Sequence, residues 1–182
     1  NDLIAKHPMD GVRYTKPVRA VNDIKYLTVE EQMKFLEVAK RSHNYYQYAL
    51  ILETGLRTGE LIGLTWDAIN WEKRTLTVNK TLEFRHKQKD WRAGPPKTQQ
   101  SYRIIPLTNR AYEILKTIYD NRENHKRSEK LSQALPYMDR RTGQQKVLIM
   151  EDLVFINWRT GEPAKNSSYD TRLYKLCDEA GI

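Results

Sequence analysis

Thr54-Gly55-Leu56-Arg57-Thr58-Gly59-Glu60-Leu61-Ile62-Gly63-Leu64 decides how the chain divides. Upstream of it the apolar period is helical. Tyr45, Tyr48, Ala49, Ile51 and Leu52 fall on one side of a segment from about Asn44, and Gly55 is a natural C-terminal cap for it. Downstream, Leu61, Ile62 and Leu64 give a third, short helix from Thr58. After Asp67-Ala68-Ile69-Asn70 the period drops to two. Thr75-Leu76-Thr77-Val78 alternates, as do Thr81-Leu82-Glu83-Phe84 and, in part, Tyr102-Arg103-Ile104-Ile105. Arg57 therefore stands at a helix start, between two glycines, ahead of a small antiparallel sheet of about three strands.

Working outward, Thr28-Val29-Glu30-Glu31 is a capping box that opens a first helix reaching about Lys40, with Val29, Met33 and Leu36 on its apolar face. Thr108 opens another helix, carried by Ala111, Tyr112, Ile114, Leu115, Ile118 and Tyr119 and fraying into Lys130. A short apolar strand is expected at Leu153-Val154-Phe155-Ile156. A final helix with Tyr169, Leu173, Leu176, Cys177 and Ala180 on one side stops at Gly181. The fold class is α+β and mostly helical, with helices packed around the small three-stranded sheet. Residues 1–25, with Pro8, Pro17 and Gly11 and no sustained apolar period, read as an arm or inter-domain linker, and the domain proper as 26–182.

The 182 residues are enough for one domain with a real core. A single cysteine allows no intramolecular disulfide and no thiolate cluster for zinc, so a reducing, cytoplasmic setting is expected. Mean hydropathy is −0.77, and no apolar run approaches the roughly 20 residues that a membrane-spanning helix needs. No carboxylate cluster has metal-ligand spacing and no Glu-x-Lys occurs, which disfavours a metal-dependent nuclease; no metal or other cofactor is expected.

Lys plus Arg number 31 against 23 Asp plus Glu, a formal charge of +8. Between Lys80 and Arg103 lie Lys80, Arg85, Lys87, Lys89, Arg92, Lys97 and Arg103 against only Glu83 and Asp90, so more than half of the excess sits in one stretch. A solvated face usually mixes both signs, so this bias points to a surface that tracks phosphates. Arg57, held by core on both sides, is placed to meet a phosphate beside free helix amides. The alternative at that position is an internal pair with Glu60. In Pro95-Pro96-Lys97-Thr98-Gln99-Gln100-Ser101-Tyr102-Arg103, Lys97 is delivered just before the third strand, where it can meet a bound backbone as a point charge or donate a proton.

The two motifs, in this order with strands between them, resemble the catalytic domain of tyrosine recombinases, the phage integrase family. The resemblance rests on G-L-R-T-G-E-L-I-G-L-T-W-D-A-I-N, the L-T-V strand and P-K-T-Q-Q-S-Y-R-I-I-P-L, and its wording is nearest to integrases of conjugative transposons. It covers Thr28 to the end of the chain. It implies a metal-free transesterification on double-stranded DNA through a 3′-phosphotyrosyl link, run by several protomers on paired DNA sites. It also implies that Arg57 is the first of the family's two arginines, that Lys97 is the lysine that protonates the leaving 5′-oxygen, and that Glu60 orients Arg57. Lys80, Arg85, Lys87, Lys89, Arg92, Thr98, Ser101 and Arg103 are the expected DNA contacts.

The departure from the family pattern is equally specific. His7, His43, His86 and His125 begin no H-x-x-R, and His86-Lys87-Gln88-Lys89 is an H-x-x-K upstream of Lys97. No nucleophilic tyrosine is nominated among the eleven. The expectation is the N-terminal majority of a catalytic domain, inactive alone. The competing reading is a complete, non-catalytic DNA-binding module on the same fold, and the encoding reading frame beyond Ile182 discriminates between the two.

Overall fold

A computed structural model describes residues 26–182 and Gly11. The arm or linker expected over 1–25 therefore lies, Gly11 apart, outside the described residues. Among the described residues there are five helices: α1 (Val29–Ala39), α2 (Tyr45–Thr54), α3 (Thr58–Ile62), α4 (Asn109–Asp120) and α5 (Asn166–Ala180). Seven short strands accompany them: β1 (Ile69–Asn70), β2 (Thr75–Val78), β3 (Thr81–Arg85), β4 (Asp90–Gly94), β5 (Arg103–Pro106), β6 (Ala134–Met138) and β7 (Gln145–Ile149). The helices pack α1 on α5 and α2, and α2 on α4, while α3 lies against β3.

The capping box forms as read. Glu31 N–H donates to Thr28 Oγ1 (3.2 Å), and Thr28 N–H donates to Glu31 Oε2 (2.7 Å). The buried face of α1, however, is Phe35, Leu36 and Ala39, and Val29 and Met33 point to solvent. Both sets share Leu36 at helical spacing, so the period alone does not choose between them; the packing of α2 and α5 does. Phe35 meets Tyr48 edge-on, with ring centroids 5.4 Å apart. Tyr48 in turn donates its hydroxyl to the Tyr169 carbonyl (3.0 Å), which ties α2 to α5.

The strands are arranged differently from the single sheet expected. β2 pairs directly with β5, and β1 with β2, giving the three-stranded order β1-β2-β5. β3 leaves that sheet and pairs with β4, a strand hidden in the basic connection His86–Gln100. Asp-Trp-Arg-Ala-Gly alternates over only two apolar residues, Trp91 and Ala93, inside a basic, Pro/Gly-containing stretch, and what fixes it as a strand is cross-strand pairing. Phe84 faces Trp91 (centroids 5.1 Å), Glu83 pairs with Arg92 (3.0 Å), and Arg85 donates its Nε to Asp90 (2.9 Å). The hairpin is seated by Gly63. A Cβ there would lie 2.7 Å from Leu82 N, so only glycine lets the end of α3 touch the backbone of β3.

A second hairpin, β6–β7, occupies the polar stretch that carried no sequence signal, and β6 packs on β4. The expected strand at Leu153–Ile156 reduces to isolated bridges, Thr65 with Leu153 and Ile156 with Pro163, plus a Val154 N–H to Leu64 O bond (2.9 Å). Leu153, Val154 and Phe155 are all buried, so the apolar run marks a covered segment and not a ladder. α4 ends at Asp120, with only single 3-10 turns up to Leu131. Among the described residues no helix is long and apolar enough to cross a membrane.

Candidate active site

Gly55 ends α2 in the left-handed region (φ 62°), so the chain turns at once into α3 and sets Arg57 at its N-cap. The Glu60 carboxylate, whose side chain is 3% exposed, is the hub of the site. It accepts from Arg57 N–H (3.0 Å) and from Arg57 Nη1 (3.0 Å). Arg103, arriving on β5, donates Nη1 to Oε1 (3.1 Å) and Nη2 to Oε2 (2.8 Å), a two-pronged pair. Arg103 Nη2 also reaches the Gly55 carbonyl (3.2 Å). Burial alone would raise the Glu60 carboxyl, but the hydrogen bonds from Arg103 and Arg57 outweigh it and hold the group below the usual carboxylate range.

The internal pair of Arg57 with Glu60 is present, and it leaves most of the side chain open. One guanidinium nitrogen is fixed by Glu60, yet the side chain is 63% exposed, and its other N–H groups have no protein acceptor among the described residues. They border an open cleft of about 360 Å³, shared with Arg92, Lys97, Arg140 and Asn166. α3 has only five residues, so its dipole is slight, and the anion-attracting element is the fixed cation.

Lys97 is exposed in the loop between β4 and β5. It stands at the base of the β3–β4 hairpin; the tip is Arg85–Lys89, closed by Lys89 N–H to Arg85 O (2.8 Å). Lys87 and Lys89 are exposed there, and Arg85 and Arg92 flank it, each paired with an acid on the facing strand. Three of the expected DNA contacts face inward instead. Lys80 is buried and forks onto Asp67 (2.9 and 3.0 Å). Ser101 is buried, with its hydroxyl on Thr98 (2.9 Å), and so shapes the loop. Arg103 is spent on Glu60. The charge count that placed Lys80 and Arg103 on the surface took no account of their internal partners Asp67 and Glu60, and Ser101 was expected there only through the family resemblance.

Sequence reading missed Arg140 and Asp139. They follow β6, some forty residues beyond Lys97, and only the fold of that hairpin brings Arg140 to the cleft, with Asp139 buried behind it. Arg140 donates Nη1 to the Lys97 carbonyl (2.5 Å), and Tyr102 donates its hydroxyl to Asp139 (3.0 Å). The repeated basic pair Arg140-Arg141 before a Thr-Gly turn was the only available cue. Among the described residues no three His, Cys, Asp or Glu side chains stand close enough to hold a metal ion. Tyr48, Tyr137 and Tyr169 are buried, and burial pushes their phenols up, to about 12 for Tyr48 and Tyr137.

The pattern of the phage integrase family matches residues 25–182. The transposase from transposon Tn916 of Enterococcus faecalis is 35% identical over 138 residues, covering 71% of this chain and 33% of the relative. The prophage integrase IntR of Escherichia coli K12 is 32% identical over 128 residues, 70% of this chain and 29% of that protein. The chain thus spans about a third of the length of these relatives. Among solved structures, the Tn1549 transposon integrase in complex with circular intermediate DNA superposes with a TM-score of 0.63 at 23% identity, over 87% of this chain and 47% of that one. XerA recombinase gives 0.59 at 18%, over 92% and 46%. The fold is that of a tyrosine recombinase catalytic domain, and the chain belongs to the phage integrase family.

Proposed function

We propose that this chain supplies part of the DNA-cleaving centre of a tyrosine recombinase acting in integration or transposition, with residues 26–182 as the N-terminal majority of its catalytic domain. The observation that carries this reading is Arg57, fixed on one side by Glu60 and open on the other to the cleft that holds Lys97. In the reaction, a tyrosine hydroxyl attacks phosphorus, a 3′-phosphotyrosyl bond forms, and the bond to the 5′-oxygen breaks. The negative charge that builds on the non-bridging oxygens is met by a guanidinium already in place, which costs no reorganisation. Lys97 gives its proton to the departing 5′-oxygen. A hydroxyl from another strand reverses the steps, so the bond energy is kept and no nucleotide cofactor is consumed.

Lys87 and Lys89 at the hairpin tip, with Arg85, Arg92 and Thr98, follow the duplex backbone. Further protomers on paired DNA sites complete the assembly. The second arginine and the nucleophilic tyrosine are not assigned within the 182 residues, so the chain alone binds DNA without cutting it. The test is Arg57→Ala in the recombinase that carries this chain. Strand cleavage should fall by at least about 10²-fold while duplex affinity changes little, because the lost contact matters most in the transition state. Retained cleavage, or a matching loss of affinity, would remove Arg57 from the role. Cleavage by the 182 residues alone would contradict the partial-site reading.

A further inference from the structure

We propose that Tyr102, Asp139 and Arg140 form a latch that holds the Lys97 loop against the cleft, making them positioning residues for Lys97. The inference rests on the reading of Lys97 given above, and its support is geometric. The Lys97 side chain lies in an exposed loop, but the segment that starts with it is held at both ends, at the Lys97 carbonyl and at Tyr102. Upstream, Arg140 Nη1 binds the Lys97 carbonyl (2.5 Å). Downstream, the Tyr102 hydroxyl donates to Asp139 Oδ1 (3.0 Å) and accepts the Arg140 amide (3.1 Å). Between these two anchors the chain closes a single 3-10 turn, with Ser101 N–H to Thr98 O (3.1 Å) and Tyr102 N–H to Gln99 O (3.2 Å).

Asp139 is the fixed point. It is 1% exposed, its carboxylate pairs with Lys146 on β7, and it also accepts the amides of Arg141 (2.8 Å) and Thr142 (3.3 Å). The hydrogen bond from Lys146 is the main cause that brings its carboxyl down to about 2, so it remains an acceptor at any working pH. Four donors on one buried carboxylate make a rigid turn, and that turn orients the Arg140 guanidinium. A lysine that must meet a 5′-oxygen as it leaves gains from such restraint, since a displacement of about an ångström can cost two orders of magnitude in rate. The β6–β7 hairpin, silent in the sequence, thereby acquires a role in the site 40 residues upstream of it.

Two variants test the latch: Tyr102→Phe, which removes one hydroxyl and leaves the ring, and Arg140→Ala. In the 182-residue chain, amide hydrogen exchange over residues 96–102 should rise at least tenfold in both, with exchange in α1, α2 and α4 unchanged. In the recombinase that carries the chain, both variants should slow cleavage of an ordinary phosphodiester at least tenfold. Both should recover on a substrate whose 5′ bridging oxygen is replaced by sulfur, a leaving group that needs no acid, as Lys97→Ala itself should. Unchanged exchange in the loop overturns the latch. So does slowing that the sulfur substrate fails to relieve while relieving Lys97→Ala, which would mark Arg140 as a phosphate ligand in its own right. If Lys97→Ala is not relieved either, the acid role of Lys97 falls, and the latch stands or falls on the exchange result.

Discussion

Glu60 and Arg103, 43 residues apart in sequence, meet in a two-pronged ion pair with N–O distances of 2.8 and 3.1 Å, and the same carboxylate holds Arg57. One buried acid thus couples the helical half of the domain to the β1-β2-β5 sheet. Arg103 serves as its inner counter-charge and leaves Arg57 free to face the cleft.

Glu60→Gln should destabilise the chain by about 1.5–3 kcal/mol at pH 7, the range for a hydrogen bond to a charged group. The pH dependence has a definite sign. The folded carboxyl is held below its ordinary value, so its contribution is complete above about pH 4.3, where an unfolded glutamate ionises, and is lost as pH falls through the folded pKa. Urea unfolding from pH 7 down to pH 3 should therefore show the gap between the parent chain and Glu60→Gln closing on acidification. A gap that stays constant would mean that the carboxylate's charge plays no part.

Gly63→Ala should displace the β3–β4 hairpin, because its new methyl would lie 2.7 Å from Leu82 N and 2.9 Å from Thr81 C. The cost expected for forcing backbone apart in a packed site is about 1–3 kcal/mol. Trp91 lies on the moved hairpin, so near-ultraviolet circular dichroism should change along with the urea midpoint. An unaltered midpoint would show that α3 and β3 are less closely joined than described.

Binding of the chain to duplex DNA should weaken steeply with salt as phosphate neutralisation releases counterions. Lys87→Ala and Lys89→Ala should each reduce the slope of log K against log salt by about one. Lys80→Ala should leave that slope alone and lower the urea midpoint instead, since Lys80 is buried on Asp67. Equal effects from all three would place Lys80 on the DNA surface after all.

Much of this was legible in the chain itself. The capping box at Thr28, the cap at Gly55 and the partnership of Arg57 with Glu60 are local, set by spacings of three or four residues that elementary helix geometry fixes. What the sequence hid depends on partners far away. β4 is a strand because Phe84 and Glu83 sit opposite Trp91 and Arg92. The inward turns of Lys80 and Ser101 follow from Asp67 and Thr98, and the β6–β7 hairpin carries too little alternation to announce itself. Its outer face bears Pro136, Met138, Val147 and Ile149, and its inner face bears Tyr137 and Leu148, so apolar residues fall on both sides and the period-two signal cancels.

The central claim is that the cleft between Arg57 and Lys97 seats a DNA phosphodiester. A crystal structure of the chain bound to duplex DNA tests it most directly. The account predicts a backbone phosphate within about 3 Å of the Arg57 guanidinium, hydrogen-bond reach for a charge-assisted contact, with Lys97 on the 5′ side of the same phosphorus and the β3–β4 tip along the neighbouring backbone. A duplex bound elsewhere, with no phosphate at Arg57, would contradict it.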